Sequence, residues 1–327
     1  MSVEDPVTTV IRLLTKNVRV VKDDSSVASF YASEQWYDRE LFKNYDAQLT
    51  VGIRQIQDQK LNIAGTVRQQ KGLLAVNLWA MDRVGSSDPG RMIRKKLVEE
   101  IKRIVRQNMK VPNQTIYDFA GLGYPSGDPH KAFSSAAATE LIPSSTSWVE
   151  LTNLEYQNIW YSDNIRYSKS TSVNLQDALM LFRFKPSSKA PVASQILLAF
   201  EGYGIAPAGN GFTIKVWNNV SSAWESAQTG SGGSDQVVTI TLISALTNYI
   251  DASGYVWLLA RTTNPSNGTT PAVLYCDYVS CTVSVNGITY LDVVSYGDKD
   301  KVDVKPILFR TEFTLKSWAF ETILGIY

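Results

Sequence analysis

The amino-acid composition of this chain changes abruptly near Gly121 and changes back near Asn286. Residues 131–286 hold only 18 of the 63 charged residues, although they are 156 of the 327 positions. Ser, Thr, Asn and aromatic residues dominate there, and the charged composition resumes at Asp298 for only 30 residues. A segment that short cannot bury a hydrophobic core of its own. We therefore predict that it folds with the N-terminal segment, and that a second domain is inserted between the two.

The predicted organisation is a discontinuous domain of residues 1–120 and 287–327, a linker at 121–138 and an inserted domain at 139–286. The linker is placed where Pro, Gly and Ser precede an alanine triplet. The formal net charge of +1 gives no reason to expect a nucleic acid or a strongly acidic partner. No apolar run is long enough to cross a bilayer, and the acidic N-terminus is the reverse of a secretory signal. We expect a soluble protein that does not follow the ordinary export route.

The flanking segments predict an α+β fold, in which a small sheet is layered on helices. Asp5-Pro6 is a helix-start signal followed by apolar residues at helical spacing. Ser87-Asp88-Pro89 repeats that signal before a second helix that runs to about Met109. Alternating apolar residues predict strands at residues 49–53, 74–78 and 309–315.

The second predicted helix is strongly basic, with eight Lys or Arg residues against three acidic ones. A solvated face with intrahelical ion pairs is the ordinary interpretation of such a helix. Contact with another subunit or with the phosphates of DNA are the alternatives. The last predicted strand also turns charged side chains outward. The candidates for a subunit contact or a channel lining are Arg91, Arg94, Lys95, Arg103, Arg310, Glu312 and Lys316.

The middle of the chain predicts an all-β antiparallel sandwich of the jelly-roll type. Short β-branched or aromatic runs such as SWVELTNL, FTIKVWNN and YVWLLARTT are separated by turn clusters such as TGSGGSD and DASG. Trp217 and Trp224 flank the turn NNVSSA. Exposed tryptophans on a sandwich can stack on sugar rings, and both residues are candidates for glycan stacking. Burial between the two sheets is the alternative.

No constellation of catalytic or metal-binding residues is evident. The only histidine, His130, lies in the predicted linker and is interpreted as solvated. Cys276 and Cys281 are five positions apart in one run, so we predict that they face opposite sides of a strand as buried hydrophobic residues. The acidic run from Asp298 to Asp303 could offer oxygens to calcium, but its interleaved lysines favour a charged loop. We predict no enzyme activity, no cofactor and no metal site.

Five segments of the flanks carry a resemblance to a known family. They are DPVTTVIRLLTKNV, SEQWYDRELFKNYDAQLTVGI, GTVRQQKGLLAVNLWAMD, GRMIRKKLVEEIKRIVRQN and LDVVSYGDKDKVDVKPILFRTEFTLKSW. In order and character they resemble tail-completion or tail-terminator proteins of tailed viruses of bacteria and archaea. The resemblance covers residues 1–115 and 287–327. It implies a ring, usually a hexamer, that caps the tail tube and joins it to the neck.

Two functional hypotheses follow. The first is a structural virion protein at the tail–neck junction, assembled in the host cytoplasm. Its partners are further copies of the chain, tail-tube proteins and neck or connector proteins. DNA passes only through the lumen, and the insert projects outward. The second rests on the resemblance of the insert to jelly-roll modules that also bind carbohydrate. It is a carbohydrate-binding or adhesion protein whose α+β part is an attachment base. A glycan-active enzyme is disfavoured, because no paired acid and base is evident.

Overall fold

The protein is built mainly of β-strands. The computed structural model describes residues 3–34, 36–62, 67–83, 86–124, 128–186, 192–301 and 306–322. Strands make up 47% of these residues and helices 15%. The α-helices are α1 Pro6–Asn17, α2 Gly90–Gln107 and α3 Asn153–Gln157. The strands are β1 Phe30–Ser33, β2 Ala47–Lys60, β3 Val67–Met81, β4 Gln114–Tyr117, β5 Lys131–Ala137, β6 Val149–Glu150, β7 Tyr167–Thr171, β8 Asp177–Phe184, β9 Ala193–Ile205, β10 Phe212–Asn218, β11 Ala223–Gly230, β12 Gln236–Leu242, β13 Val256–Thr262, β14 Ala272–Val285, β15 Ile288–Asp298 and β16 Leu308–Thr322.

The chain divides into two compact units. One is formed by residues 2–115 and 286–327, and we call it the flanking unit; residues 116–285 form the sandwich unit. The predicted linker at 121–138 is wrong, because β5 lies in it and pairs with β8 along its whole length. Alanine and serine dominate β5, so it lacks the β-branched residues that mark a strand in a sequence. Pairing with a neighbouring strand supplies the stabilisation that its own residues do not.

The flanking unit contains a five-stranded sheet in the order β1-β2-β3-β16-β15. β1 pairs with β2 in parallel, and the other neighbours are antiparallel. Leu13 of α1 and Ile101 of α2 share one buried cluster with Val76 of β3 and Leu315 of β16. β16 pairs with β3 from Leu308 to the end of the described chain. The last strand therefore completes a sheet whose other central strands come from the N-terminal segment.

β2, β3 and β16 continue as an arm of residues 54–60, 67–72 and 316–322, which β15 borders only as far as Ala319; we call it the three-stranded arm. The β2 part of this arm is exposed throughout. Its sequence is rich in Gln and lacks the apolar alternation that marks a half-buried strand. Backbone pairing with β3, rather than burial, therefore forms its β2 edge. Because long strands outweigh two helices, the predicted α+β class is wrong and the chain is predominantly β.

The two long helices begin in different ways. α1 begins as predicted, because Asp5 accepts a hydrogen bond from the Val7 amide at 2.9 Å. α2 begins at Gly90, whose N–H donates to Asp82 at 2.7 Å. The predicted cap at Asp88 is wrong. Its buried carboxylate instead accepts a hydrogen bond from the Asp23 amide at 2.8 Å and pairs with Lys96 at 2.6 Å. Among the described helices, none combines the length and hydropathy that crossing a membrane requires.

The sandwich unit packs two antiparallel sheets face to face. The six-stranded sheet has the order β11-β10-β13-β8-β5-β6. The second sheet has the order β12-β9-β14-β4, with β7 also paired to β14. Aromatic side chains from both sheets fill one buried cluster; the Phe200 ring centroid lies 6.0 Å from that of Phe182 and 5.1 Å from that of Phe212. The predicted β-sandwich is confirmed.

A β-bulge in β14 changes which side chains face the core. The pairing of β14 with β9 shifts between Cys276 and Tyr278, so Asp277 is an extra residue in the strand. Cys276 and Cys281 consequently face the same buried cluster, and the prediction of opposite faces is wrong. Burial raises the pKa of both thiols. The interpretation of the two as buried, unbridged residues is confirmed.

Two local predictions near the start of the sandwich are wrong. His130 is buried rather than solvated, and its Nδ1 accepts a hydrogen bond from the Lys185 amide at 3.1 Å. The run SWVELTNL forms only the two-residue β6 before the chain turns into α3. Thr152 and Glu155 form a reciprocal capping box there, which stabilises a helix against the β-forming residues around it.

The sandwich core yields a prediction about stability. Phe200→Ala should lower the free energy of unfolding by about 3–5 kcal/mol, because the ring is fully buried between two phenylalanines. Val237→Ala is the control, since that side chain is 62% exposed on β12 and should change stability by less than about 0.5 kcal/mol. Equilibrium urea unfolding measures both. Equal losses in the two variants would contradict the position of the core.

Candidate functional site

The outer face of the six-stranded sheet carries a line of tryptophans. Alternate residues of each strand point away from the core. Trp217 of β10 is opposite Trp224 of β11, with ring centroids 5.1 Å apart and planes at 69°. On its other side, β10 pairs with β13 in antiparallel orientation, and Val216 is opposite Leu258. The next pair in this register is Trp217 opposite Trp257. We call Trp224, Trp217 and Trp257 the aromatic row.

The aromatic row ends at two cations. Arg183 of β8 is the partner of Trp257 in register. Its guanidinium carbon lies 4.5 Å from the centroid of the Tyr255 ring and 5.7 Å from that of Trp257. The ammonium of Lys185 lies 5.2 Å from the same Tyr255 centroid. We call Arg183 and Lys185 the cation pair. Neighbouring strands are about 4.8 Å apart, so the line from Trp224 to Arg183 spans about 14 Å.

A turn fixes the end of the aromatic row next to the cation pair. The Asp251 carboxylate accepts hydrogen bonds from the Tyr255 amide at 2.9 Å and from the Trp257 indole at 3.2 Å. Gly254 has a φ of +82°, a conformation that favours glycine. The indole N–H of Trp257 is thus held by the turn, which orients its ring relative to Arg183.

A segment of residues 138–148 covers the neighbouring part of the same face. Glu140 forms ion pairs with Lys215 at 2.6 Å and with Arg261 at 3.3 Å, and Leu141 accepts a hydrogen bond from the Trp224 indole at 3.0 Å. Three leucines at outward positions are fully buried, yet they are absent from the cluster between the sheets: Leu179, Leu181 and Leu259. The aromatic row therefore borders the part of the face that this segment covers. The side chains of the row are partly buried.

The second sheet presents a different aromatic pair on its own outer face. Tyr203 of β9 and Tyr275 of β14 stack with centroids 4.4 Å apart and planes at 15°. Arg166 lies over Tyr203 and donates through Nε to Asp235 at 2.8 Å. The two rings cover one another, and the cation is neutralised by the carboxylate. This face therefore offers less free aromatic surface than the aromatic row.

A buried carboxyl group lies beside that tyrosine pair. Asp277, the bulge residue, is 1% exposed, and its Oδ2 accepts a hydrogen bond from the Asn164 amide at 3.2 Å. Its Oδ1 has no hydrogen-bond partner in the part of the chain that the structure describes. Burial raises the pKa of Asp277, while hydrogen bonds from the Asn164 and Asp163 amides oppose the rise; the charge of Asp235 adds to it.

The predicted contact residues of α2 lie in different environments. Arg91 and Lys95 are exposed and line a cavity of about 660 Å³ in the flanking unit. Arg94 lines it too, but its side chain is buried and paired with Asp298 at 3.0 Å. Arg103 is half exposed and forms an ion pair within the helix at 2.6 Å. The structure thus brings Arg91, Arg94 and Lys95 together, and the charge of Arg94 is already neutralised.

The predicted contact residues of β16 take part in interactions within the flanking unit. Glu312 forms ion pairs with Lys299 at 2.7 Å and with Arg310 at 3.3 Å. The ammonium of Lys316 lies 4.7 Å from the centroid of the Trp318 ring. The charged side chains of β16 therefore interact with residues of the flanking unit itself.

The acidic run considered as a calcium site forms ion pairs with an arginine of α2. Asp298 and Asp300 pair with Arg94 at 3.0 and 2.5 Å, while Asp303 lies outside the described residues. Within the described ranges, no group of three or more His, Cys, Asp and Glu residues could hold a metal ion.

One comparison with known proteins gives a family model that matches the sandwich unit. Residues 126–285 match a family model described as "Uncharacterized protein, C-terminal domain". The curated proteins contain no match. A solved xylan-binding module CBM15 is 10% identical, with a TM-score of 0.30, and the match covers 53% of this chain and 98% of that one. A Family 16 Carbohydrate Binding Module-2 is 11% identical, with a TM-score of 0.22 and coverages of 33% and 77%. Neither TM-score establishes a common fold.

The structure brings the two predicted stacking residues together and adds others. Trp217 and Trp224 are cross-strand neighbours on the solvent side of the sheet. Trp257, Arg183 and Lys185 were not predicted as site residues. The alternation of YVWLLARTT and ALMLFRFKP could have placed Trp257 and Arg183 on one side of their strands. Their pairing across β13 and β8 follows only from the sheet order.

The buried carboxyl group of Asp277 predicts a pH dependence of stability. A raised pKa means that the folded state holds the proton more tightly than the unfolded state. Its stabilisation is therefore present at low pH and is lost as the pH rises past the ordinary value of 3.8 and through the folded pKa. In Asp277→Asn, which has no carboxyl group to titrate, the free energy of unfolding should fall less steeply as the pH rises above about 4.

Urea unfolding at several pH values measures this dependence. Asp163→Asn is the control, because Asp163 is an exposed carboxylate near the same turn. It should keep the pH dependence of the parent protein. The same slope in Asp277→Asn and in the parent would show that Asp277 does not titrate as described.

Proposed function

We propose that the sandwich unit binds carbohydrate through the aromatic row, in a carbohydrate-binding or adhesion protein with no catalytic role. The observation that supports this most directly is the position of Trp224, Trp217 and Trp257, in line across three neighbouring strands. Sugar rings present apolar C–H faces bordered by hydroxyl groups, and an indole offers a large apolar face with one polar group. A line of such faces suits a chain of sugars that crosses the strands.

The aromatic row is not needed to fill the sandwich core. Its three indoles lie outside the buried cluster, which Val216, Leu258 and other inward residues complete. Aromatic surface left partly in water costs free energy, and contiguous patches of it are typical of interaction sites. The row therefore fits a ligand better than it fits a structural role.

The flanking unit fits the role of an attachment base. It has a buried cluster of its own, separate from that of the sandwich unit. A sandwich that does not rely on the flanking unit for its core can carry ligand binding, while the flanking unit joins the protein to a larger structure.

Substitution of the aromatic row tests this proposal. Trp217→Ala and Trp257→Ala should each weaken binding of a retained polysaccharide at least tenfold, which corresponds to about 1.4 kcal/mol. The measurement is affinity electrophoresis through gels that contain single polysaccharides, followed by titration calorimetry with those that retard the protein. Tyr275→Ala, on the other sheet, is the matched aromatic control and should bind as the parent does.

Two results would contradict the proposal. One is a parent protein that no polysaccharide of a broad neutral and acidic panel retards. The other is equal binding by the tryptophan variants and the parent, with urea unfolding showing that all of them are folded.

A second candidate function, assembly with further copies of the chain, is favoured by the three-stranded arm. Ile56 on β2 is 44% exposed and Phe320 on β16 is 53% exposed, so the arm leaves apolar side chains in water. Burying them against another subunit would be favourable. The ring at a virion tail–neck junction, predicted from the resemblance of the flanks, would use such an assembly and stays a prediction.

Mass photometry of the purified chain tests the second candidate. The parent should form a closed oligomer, and Ile56→Lys should shift it toward the monomer, because a buried lysine loses its hydration. Val237→Lys, on an exposed strand of the sandwich unit, is the control and should leave the oligomer intact. A monomeric parent at micromolar concentration would rule this candidate out.

A further inference from the structure

We infer that the ligand of the aromatic row is an anionic polysaccharide, with an acid group held by Arg183 and Lys185. This inference rests on the proposed carbohydrate binding and adds to it the chemical class of the ligand. The cation pair lies at one end of the row, so a sugar stacked on Trp257 has its substituents beside the guanidinium of Arg183.

The other cations of this face are already neutralised. Lys215 pairs with Glu140 at 2.6 Å, and Lys131 pairs with Glu150 at 2.6 Å. Arg261 likewise pairs with Asp177 at 2.8 Å. These ion pairs leave little attraction for an external anion, because each positive charge already has a negative neighbour.

Arg183 and Lys185 differ from those cations in lacking an acidic partner. No carboxylate within the described ranges comes within 4.0 Å of either one, although both residues lie on a sheet face rich in ion pairs. Arg183 donates through Nε to the Pro129 carbonyl at 3.0 Å, which fixes the base of its guanidinium. The two terminal nitrogens of a guanidinium form a planar fork that matches a carboxylate or a sulfate oxygen pair.

Both cations also share one aromatic ring. Arg183 and Lys185 lie 4.5 and 5.2 Å from the centroid of Tyr255, so two like charges lie beside the same ring. The electron-rich ring offsets part of their repulsion. A bound anion would offset more, since it would attract both charges at once. Glu150, the nearest acid in the sheet, is already bound to Lys131, so Arg183 and Lys185 are suited to an external acid.

The opposite sheet contains a similar arginine–tyrosine pair whose arginine has an acidic partner. Arg166 also lies over a tyrosine, Tyr203, at 5.7 Å from its centroid. There Asp235 supplies the anion, with 2.8 Å between its Oδ2 and the Arg166 Nε. The chain thus completes one arginine–tyrosine pair with its own carboxylate and leaves the other, beside the aromatic row, for a ligand.

A pair of polymers that differ only in charge tests the inference. Polygalacturonate carries a carboxylate on every sugar, and its methyl ester has the same backbone without the charge. The parent protein should bind polygalacturonate at least tenfold more tightly than the methyl ester at low salt, with the preference shrinking as sodium chloride is added. Arg183→Gln/Lys185→Gln should bind the two polymers equally. Lys169→Gln, a cation on the other sheet, is the control and should keep the preference.

A sulfated polysaccharide forms a further arm of the experiment. A preference for that polymer over polygalacturonate, lost in Arg183→Gln/Lys185→Gln, would support an anionic ligand and assign the anion as a sulfate ester. A preference for polygalacturonate, lost in the same variant, assigns it as a carboxylate. Urea unfolding of each variant shows that any loss is not a loss of folding.

The results separate this inference from the proposed carbohydrate binding. If the parent binds charged and uncharged polymers equally, and Trp257→Ala weakens both, carbohydrate binding stands and the anionic ligand is wrong. A charge preference that survives in Arg183→Gln/Lys185→Gln also overturns the inference. If no polymer of either kind binds, both proposals fail.

Discussion

The alternation of side chains along β8, β10 and β13 is the constraint on which the sandwich unit depends. Phe182, Val216 and Leu258 point into the buried cluster, and the residue next to each of them points outward. A shift of pairing by one residue would bring an arginine and tryptophans inward and expose core residues. The core therefore fixes the register, and the register in turn sets the line of outward residues. The same strand pairing that stabilises the fold builds the candidate site.

Charge pairing decides which part of the outer face stays open to a ligand. Glu140 binds Lys215 and Arg261, so the segment that carries it lies against the sheet and covers the leucines beneath. Beyond that segment, Arg183 and Lys185 lack acidic partners among the described residues and lie beside the ring of Tyr255. Lys215 and Arg261 are thus neutralised where the segment covers the face, and Lys131, opposite Arg183, is neutralised by Glu150 of β6, whereas Arg183 and Lys185 have no such partner. The candidate site therefore lies at the uncovered end of this face.

Much of the sandwich could be predicted from the sequence, and less of the flanking unit could. Runs such as FTIKVWNN carry the period-two alternation that becomes β10, and Trp217 and Trp224 were recognised as stacking candidates from the turn between them. The long strands β2 and β3 were only partly predicted, because their arm segments are rich in Gln and lack apolar alternation. The bulge at Asp277 was also unpredicted, since nothing local distinguishes it from its neighbours.

The sequence by itself determined the local features: the Asp5 cap, the alternation of the strands and the composition change that marks an insertion. Only the tertiary structure decided which strands are neighbours. Trp257 and Arg183 are 74 residues apart in the chain and Trp217 is 40 residues from Trp257, yet sheet order places them side by side. Local propensity acts within a few residues, whereas strand order follows from burying both sheets against each other at once. The aromatic row and the cation pair are therefore products of the fold, assembled from residues that each look ordinary in the sequence.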